Sequence, residues 1–126
     1  MKNVFAILAF LFAAATATLA QGPVMTLETT AVDYGTIEKG ADPLRKFKFT
    51  NTGTEPLIIK DAKGSCGCTV PTYPKEPIMP GETSEIEVRY DTQRVGMFTK
   101  SVTLTTNETD PTHLLTIKGE VKAPKE

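Results

Sequence analysis

Two segments of this chain alternate apolar and polar residues with a strict period of two, and that pattern excludes most architectures. In Leu44–Thr50, Phe47 and Phe49 fall on one face and Lys46, Lys48 and Thr50 on the other. In Glu82–Asp91, Ile86, Val88 and Tyr90 oppose Glu85, Glu87 and Arg89. Successive side chains of an extended strand point to opposite faces, so each segment is a strand with one buried face. Phe98, Val102 and Leu104 share a face in Phe98–Thr105, as do Leu115, Ile117 and Val121 in the last apolar run. Met25–Thr30, Val32–Ile37 and Leu57-Ile58-Ile59 read as further short strands. Beyond residue 20 no stretch carries apolar residues at helical spacing over ten or more positions.

The punctuation agrees. Pro80-Gly81 suits a type II turn, because proline presets φ at the second position and glycine accepts positive φ at the third. Gly40, Gly53 and Gly96 also fall between strand-like runs, and Asn51–Pro56 and Asn107–Pro111 are turn-rich. About seven short strands in ~100 residues predict an antiparallel β-sandwich, with a small closed barrel as the alternative. Phe47, Phe49, Leu57, Ile59, Ile86, Val88, Tyr90, Val102, Leu104, Leu115 and Ile117 are expected inside.

Residues 1–20 read as a secretory signal peptide: Lys2, then an almost wholly apolar run from Val4 to Ala15, then the small-x-small site Thr18-Leu19-Ala20. The apolar run is shorter than the roughly 20 residues of a spanning helix. Cleavage between Ala20 and Gln21 leaves one domain over 21–126 with no membrane anchor, so a periplasmic or secreted protein is expected. Removing Lys2 from the 14 Lys and Arg leaves 13 basic residues against 15 acidic ones, a formal charge of −2. Both signs are interspersed, and no basic patch points to nucleic acid or to a membrane surface.

Ser65-Cys66-Gly67-Cys68-Thr69-Val70-Pro71 holds both cysteines. Three readings compete. An internal bridge spans two residues that lie near the ~6.8 Å upper limit in extended backbone, with Gly67 easing the distortion. Two thiols on one strand face pack as small hydrophobes. Two thiolates clip Cu(I), a soft ligand pair for a soft ion, with Met79 and Met97 as further sulfur ligands. Export favours pairing, since exported thiols rarely stay free. Lys60, Lys63 and Lys75 are the cations near enough in sequence to favour a thiolate. His113, the only histidine, reads as an exposed residue at a strand start. Scattered aspartates read as turn formers, and Asn107-Glu108-Thr109 fits the N-glycosylation pattern only weakly.

The chain resembles the bacterial domain of unknown function 1573. The resemblance rests on Asp33-Tyr34-Gly35-Thr36-Ile37, Phe47–Gly53 with Pro56-Leu57, Ser65–Pro71, Ile78-Met79-Pro80-Gly81-Glu82, Val88–Thr92, Gly96-Met97-Phe98 and Ile117–Val121. It implies an immunoglobulin-like sandwich, distantly similar to Hydin-type and major-sperm-protein-type domains, which are mostly interaction modules. It implies export and no activity. The expectation is therefore an exported, non-enzymatic module that binds a protein or cell-envelope component and needs no cofactor or resident metal. The alternative is a small thiol redox or Cu(I)-binding protein acting through Cys66 and Cys68. Fold alone decides neither.

Overall fold

A computed structural model describes residues 22–124, so the expected cleavage site at Ala20 and Gln21 lies outside the described residues. The strands are β1 (Met25–Leu27), β2 (Ala31–Glu38), β3 (Leu44–Asn51), β4 (Ile59–Gly64), β5 (Thr69–Thr72), β6 (Thr83–Tyr90), β7 (Gly96–Thr106) and β8 (Thr112–Lys122). They form two four-stranded sheets, one ordered β1-β3-β6-β5 and the other β2-β8-β7-β4. The fold is the expected immunoglobulin-like sandwich, with eight strands where seven were counted.

The extra strand is β5. Its inward residue is Thr69, and Val70 and Thr72 are exposed, so the apolar pattern is inverted. Pro71 also masks it, because proline in a strand is confined to edges and bulges. The pairing is not wholly antiparallel either: β2 runs parallel to β8, with Val32 opposite Ile117. The N-terminal run read as two adjacent strands divides at exposed Glu28–Thr30 and serves both sheets, β1 pairing with β3 and β2 with β8. Side-chain alternation is the same in parallel and antiparallel ladders, so the sequence pattern cannot tell them apart. The strand expected at Leu57-Ile58-Ile59 instead begins at Ile59 and continues through Lys60, Asp61 and Lys63; Leu57 makes only an isolated bridge to Ile78.

Every residue expected inside is buried, and the core adds Met25, Tyr34, Cys68, Ile78, Phe98 and Val121. Tyr90 stacks on Phe98 at 3.9 Å between ring centroids, and Tyr34 meets the Phe98 ring edge-on at 5.3 Å. This aromatic group joins β2, β6 and β7, and so ties the two sheets together near one end of the sandwich. At the other end the Pro80-Gly81 turn forms as expected: Gly81 has φ +86° and the Glu82 N–H donates to the Met79 carbonyl at 2.9 Å.

Candidate functional site at the sheet crossover

Four residues, Ser65 to Cys68, carry the chain from β4 in one sheet to β5 in the other. The Ser65 N–H donates to the Ser101 carbonyl at 2.8 Å, and the Ser101 N–H donates to Ser65 Oγ at 3.0 Å, which fixes the start on β7. The Asp91 N–H donates to the Cys68 carbonyl at 2.8 Å, which fixes the end beside β6. Between them the Thr69 N–H closes a turn on the Cys66 carbonyl at 3.2 Å.

Inside that turn Cys66 and Cys68 are bonded to each other, with Cα atoms 5.2 Å apart. The two are not equivalent. Cys68 is 4% exposed and belongs to the core, whereas Cys66 is half-buried at its margin. The Cys68 N–H donates to Cys66 Sγ at 3.2 Å. The Thr69 hydroxyl lies 3.8 Å from Cys66 Sγ and 3.6 Å from Cys68 Sγ, and Thr69 is itself 2% exposed. Gly67 departs from expectation. Its φ is not positive, so the bridge does not draw on glycine's special freedom, and a Cβ there would meet nothing within 4 Å. The bare residue leaves open space beside it.

That space opens onto a groove of about 340 Å³. Buried Cys68 and Tyr90 form its base, Ala41 and Pro43 one wall, and exposed Val70, Arg89, Asp91 and Gln93 its rim. The wall is held by short bonds: the Thr92 hydroxyl donates to the Ala41 carbonyl at 2.7 Å, the Gly40 N–H to the Thr92 carbonyl at 3.0 Å, and the Tyr34 hydroxyl to the Pro43 carbonyl at 2.7 Å. Burial pushes the Tyr90 hydroxyl above the usual tyrosine value, with Arg94 opposing and Asp91 reinforcing the shift. Sequence reading passed over Ala41, Thr92 and Gln93 because they sit in turn-rich loops. The available signal was Val70, an apolar residue left 54% exposed beside the cysteines.

The other sequence candidates lie elsewhere. Lys75 sits over the Tyr73 ring, and neither Lys60 nor Lys63 lines the groove. Met79 and Met97 are exposed, outside both the core and the groove. His113 is not a lone exposed residue: its Nε2 pairs with Glu108 Oε1 at 2.5 Å. Asn107 has a structural task, accepting from the Ile58 N–H at 2.8 Å and donating to the Pro56 carbonyl at 3.1 Å. Among the described residues no group of three or more His, Cys, Asp or Glu is placed to hold a metal ion. No helix among them is long and apolar enough to cross a membrane.

The two-sheet sandwich, whose crossover carries a bridged cysteine pair beside a half-open groove, has an immunoglobulin-like fold. The family model for proteins of unknown function, DUF1573, matches residues 25–121, and the chain belongs to that family. It is similar to a protein of unknown function from Porphyromonas gingivalis W83 (21% identity, TM-score 0.71), covering 83% of this chain and 50% of that one. The chain thus spans half the length of that relative. It is also similar to PapD-like domain 7 of human CEP192 (9% identity, TM-score 0.62, covering 80% and 87%). A third likeness is to the periplasmic chaperone SfaE (10% identity, TM-score 0.55, covering 81% and 59%). At these identities the likenesses show the fold. No curated protein matches the chain.

Proposed function

We propose that this protein is an exported, non-enzymatic β-sandwich module that holds an extended apolar segment of another protein of the cell envelope in the groove beside Cys68. One observation carries the reading: Val70 is 54% exposed in a groove where Ala41, Pro43, Cys68 and Tyr90 make an apolar strip beside the polar Arg89, Asp91, Thr92 and Gln93, all drawn from three separate stretches of chain. The groove's volume is at the low end of the ~300–1,000 Å³ typical of ligand sites, so it admits a few side chains of a partner and no folded domain. The signal-like leader and the paired cysteines support export.

The neighbouring edge strand argues for side-chain insertion over strand addition. On β5, Val70 and Thr72 direct their backbone groups toward Arg89 and Glu87 of β6, as the Asp91–Cys68 bond requires of an alternating ladder. The outward positions are Thr69, whose N–H is taken by the Cys66 carbonyl, and Pro71, which has none. An edge without donors resists pairing with a foreign strand. Panning a displayed library of unstructured peptides on the mature domain tests the reading. Enriched peptides should be apolar, and Val70→Asp should abolish their binding while Leu114→Asp preserves it. Peptides that bind Val70→Asp equally well would overturn it.

A further inference from the structure

The asymmetry of the cysteine pair carries chemistry that a peptide-binding groove does not need. Thr69 is a buried hydroxyl whose side-chain hydrogen-bond partners are the two sulfurs. A disulfide sulfur is a weak acceptor and a thiolate a strong one, and hydrogen bonds to a charged form favour that form. The Cys68 N–H adds a second donor to Cys66 Sγ at 3.2 Å. One fixed donor, the Cys68 N–H, is therefore aimed at Cys66, the sulfur at the margin of the core, while the rotatable Thr69 hydroxyl lies within reach of either sulfur and its partner Cys68 lies beneath. Gly67, between the two cysteines, carries no side chain and faces open space.

We infer that Cys66 and Cys68 form a thiol–disulfide exchange site for a protein dithiol, with Cys66 as the sulfur attacked and Cys68 as the leaving sulfur. A thiolate of the dithiol attacks Cys66 Sγ. A bond forms between them, the Cys66–Cys68 bond breaks, and its electron pair leaves on Cys68 Sγ, which takes a proton. The second thiolate of the dithiol then attacks the reductant's own sulfur in the mixed disulfide, releasing Cys66 as a thiolate. The dithiol is oxidised to a disulfide and loses two electrons and two protons; the cysteine pair gains the two electrons and one proton, on Cys68, and the other proton goes to solvent. In the reduced protein Cys66 is the nucleophile: its sulfur accepts from the Cys68 N–H, and the Thr69 hydroxyl can turn to it. This site shares Cys68 with the groove, but it is read by thiol reactivity and the peptide reading by binding, so either can fail without the other.

Trapping with oxidised glutathione tests it on the full chain. Cys68→Ser should form a mixed disulfide at Cys66 at least about tenfold faster than Cys66→Ser does at Cys68, since exposure and thiolate character set thiol reactivity. Equal rates, or faster trapping at Cys68, would overturn the assignment. Where either variant fails to fold, a limiting pulse of iodoacetamide on reduced wild-type protein decides, and peptide mapping should find the first label on Cys66. Thr69 is a positioning residue. Thr69→Val should move the pH profile of Cys66 alkylation upward and slow trapping at neutral pH by about tenfold, the worth of one hydrogen bond to a charged group. Thr69→Ser should restore both; an unchanged profile in Thr69→Val removes the hydroxyl from the mechanism.

Discussion

The Asn51 side-chain amide donates to the Ile78 carbonyl at 2.8 Å, at the one point where the end of β3, the N-terminal segment and the β5–β6 loop meet. The same fully buried side chain donates to the Glu55 carbonyl at 2.8 Å and accepts from the Gly53 and Val24 N–H groups. Four backbone groups bond to it, and one of them, the Ile78 carbonyl, also accepts from the Leu57 N–H. Asn51→Ala should cost about 2–4 kcal/mol in urea unfolding, the penalty of stranding buried polar groups. Asn51→Asp should cost more, because a carboxylate oxygen would face two carbonyls. A loss under ~0.5 kcal/mol, in the range of a surface substitution, would contradict this role.

Glu108 fastens the first strand to the opposite sheet. Its Oε2 accepts from the Met25 N–H at 3.1 Å, and its Oε1 accepts from the Thr106 hydroxyl at 2.7 Å and pairs with His113. Glu108→Ala should release β1 first. Amide exchange of Met25 should accelerate by an order of magnitude or more, as a locally opened edge exchanges below the global stability, while that of Ile86 changes little. Equal acceleration at both positions would mean that Glu108 supports the whole sandwich.

Alkaline pH should loosen the aromatic group. Burial raises Tyr34, with Arg45 the chief opposing influence, and burial likewise raises Tyr90. Folding thus favours the protonated phenols. Their contribution is complete below the unfolded tyrosine value near ~10 and is lost as pH rises through the folded values. Melting temperature should fall above that pH, and Tyr34→Phe should flatten the fall. A Tyr34→Phe profile parallel to the wild type would exclude Tyr34 as a source.

The bridge should contribute little to global stability, since its loop is too short to restrict the unfolded chain much. Replacing Cys66 and Cys68 together by alanine should cost about 1–2 kcal/mol, mostly from lost packing at buried Cys68. Serine at both positions should cost more, because a hydroxyl at position 68 enters the core. Identical midpoints for the two double variants would place Cys68 outside the core.

The core was legible where alternation is strict. β3 and β6 bury their apolar faces as read, because period two leaves one register that hides Phe47, Phe49, Ile86 and Val88. β5 was not legible: its one inward residue is Thr69, and Pro71 reads as a breaker. The cysteine motif was visible, but the groove was not. Its walls come from loops around Ala41, Val70 and Gln93 that only the two-sheet closure brings together.

A photo-crosslinking residue at position 93, on the groove rim, tests the central claim in the native host. Irradiated cells should yield one dominant covalent adduct with an envelope protein, and Val70→Asp in the same chain should abolish it. The probe placed at position 114, exposed on β8 and outside the groove, should yield none. An adduct that survives Val70→Asp, or one that forms only from position 114, would contradict the groove as the binding site.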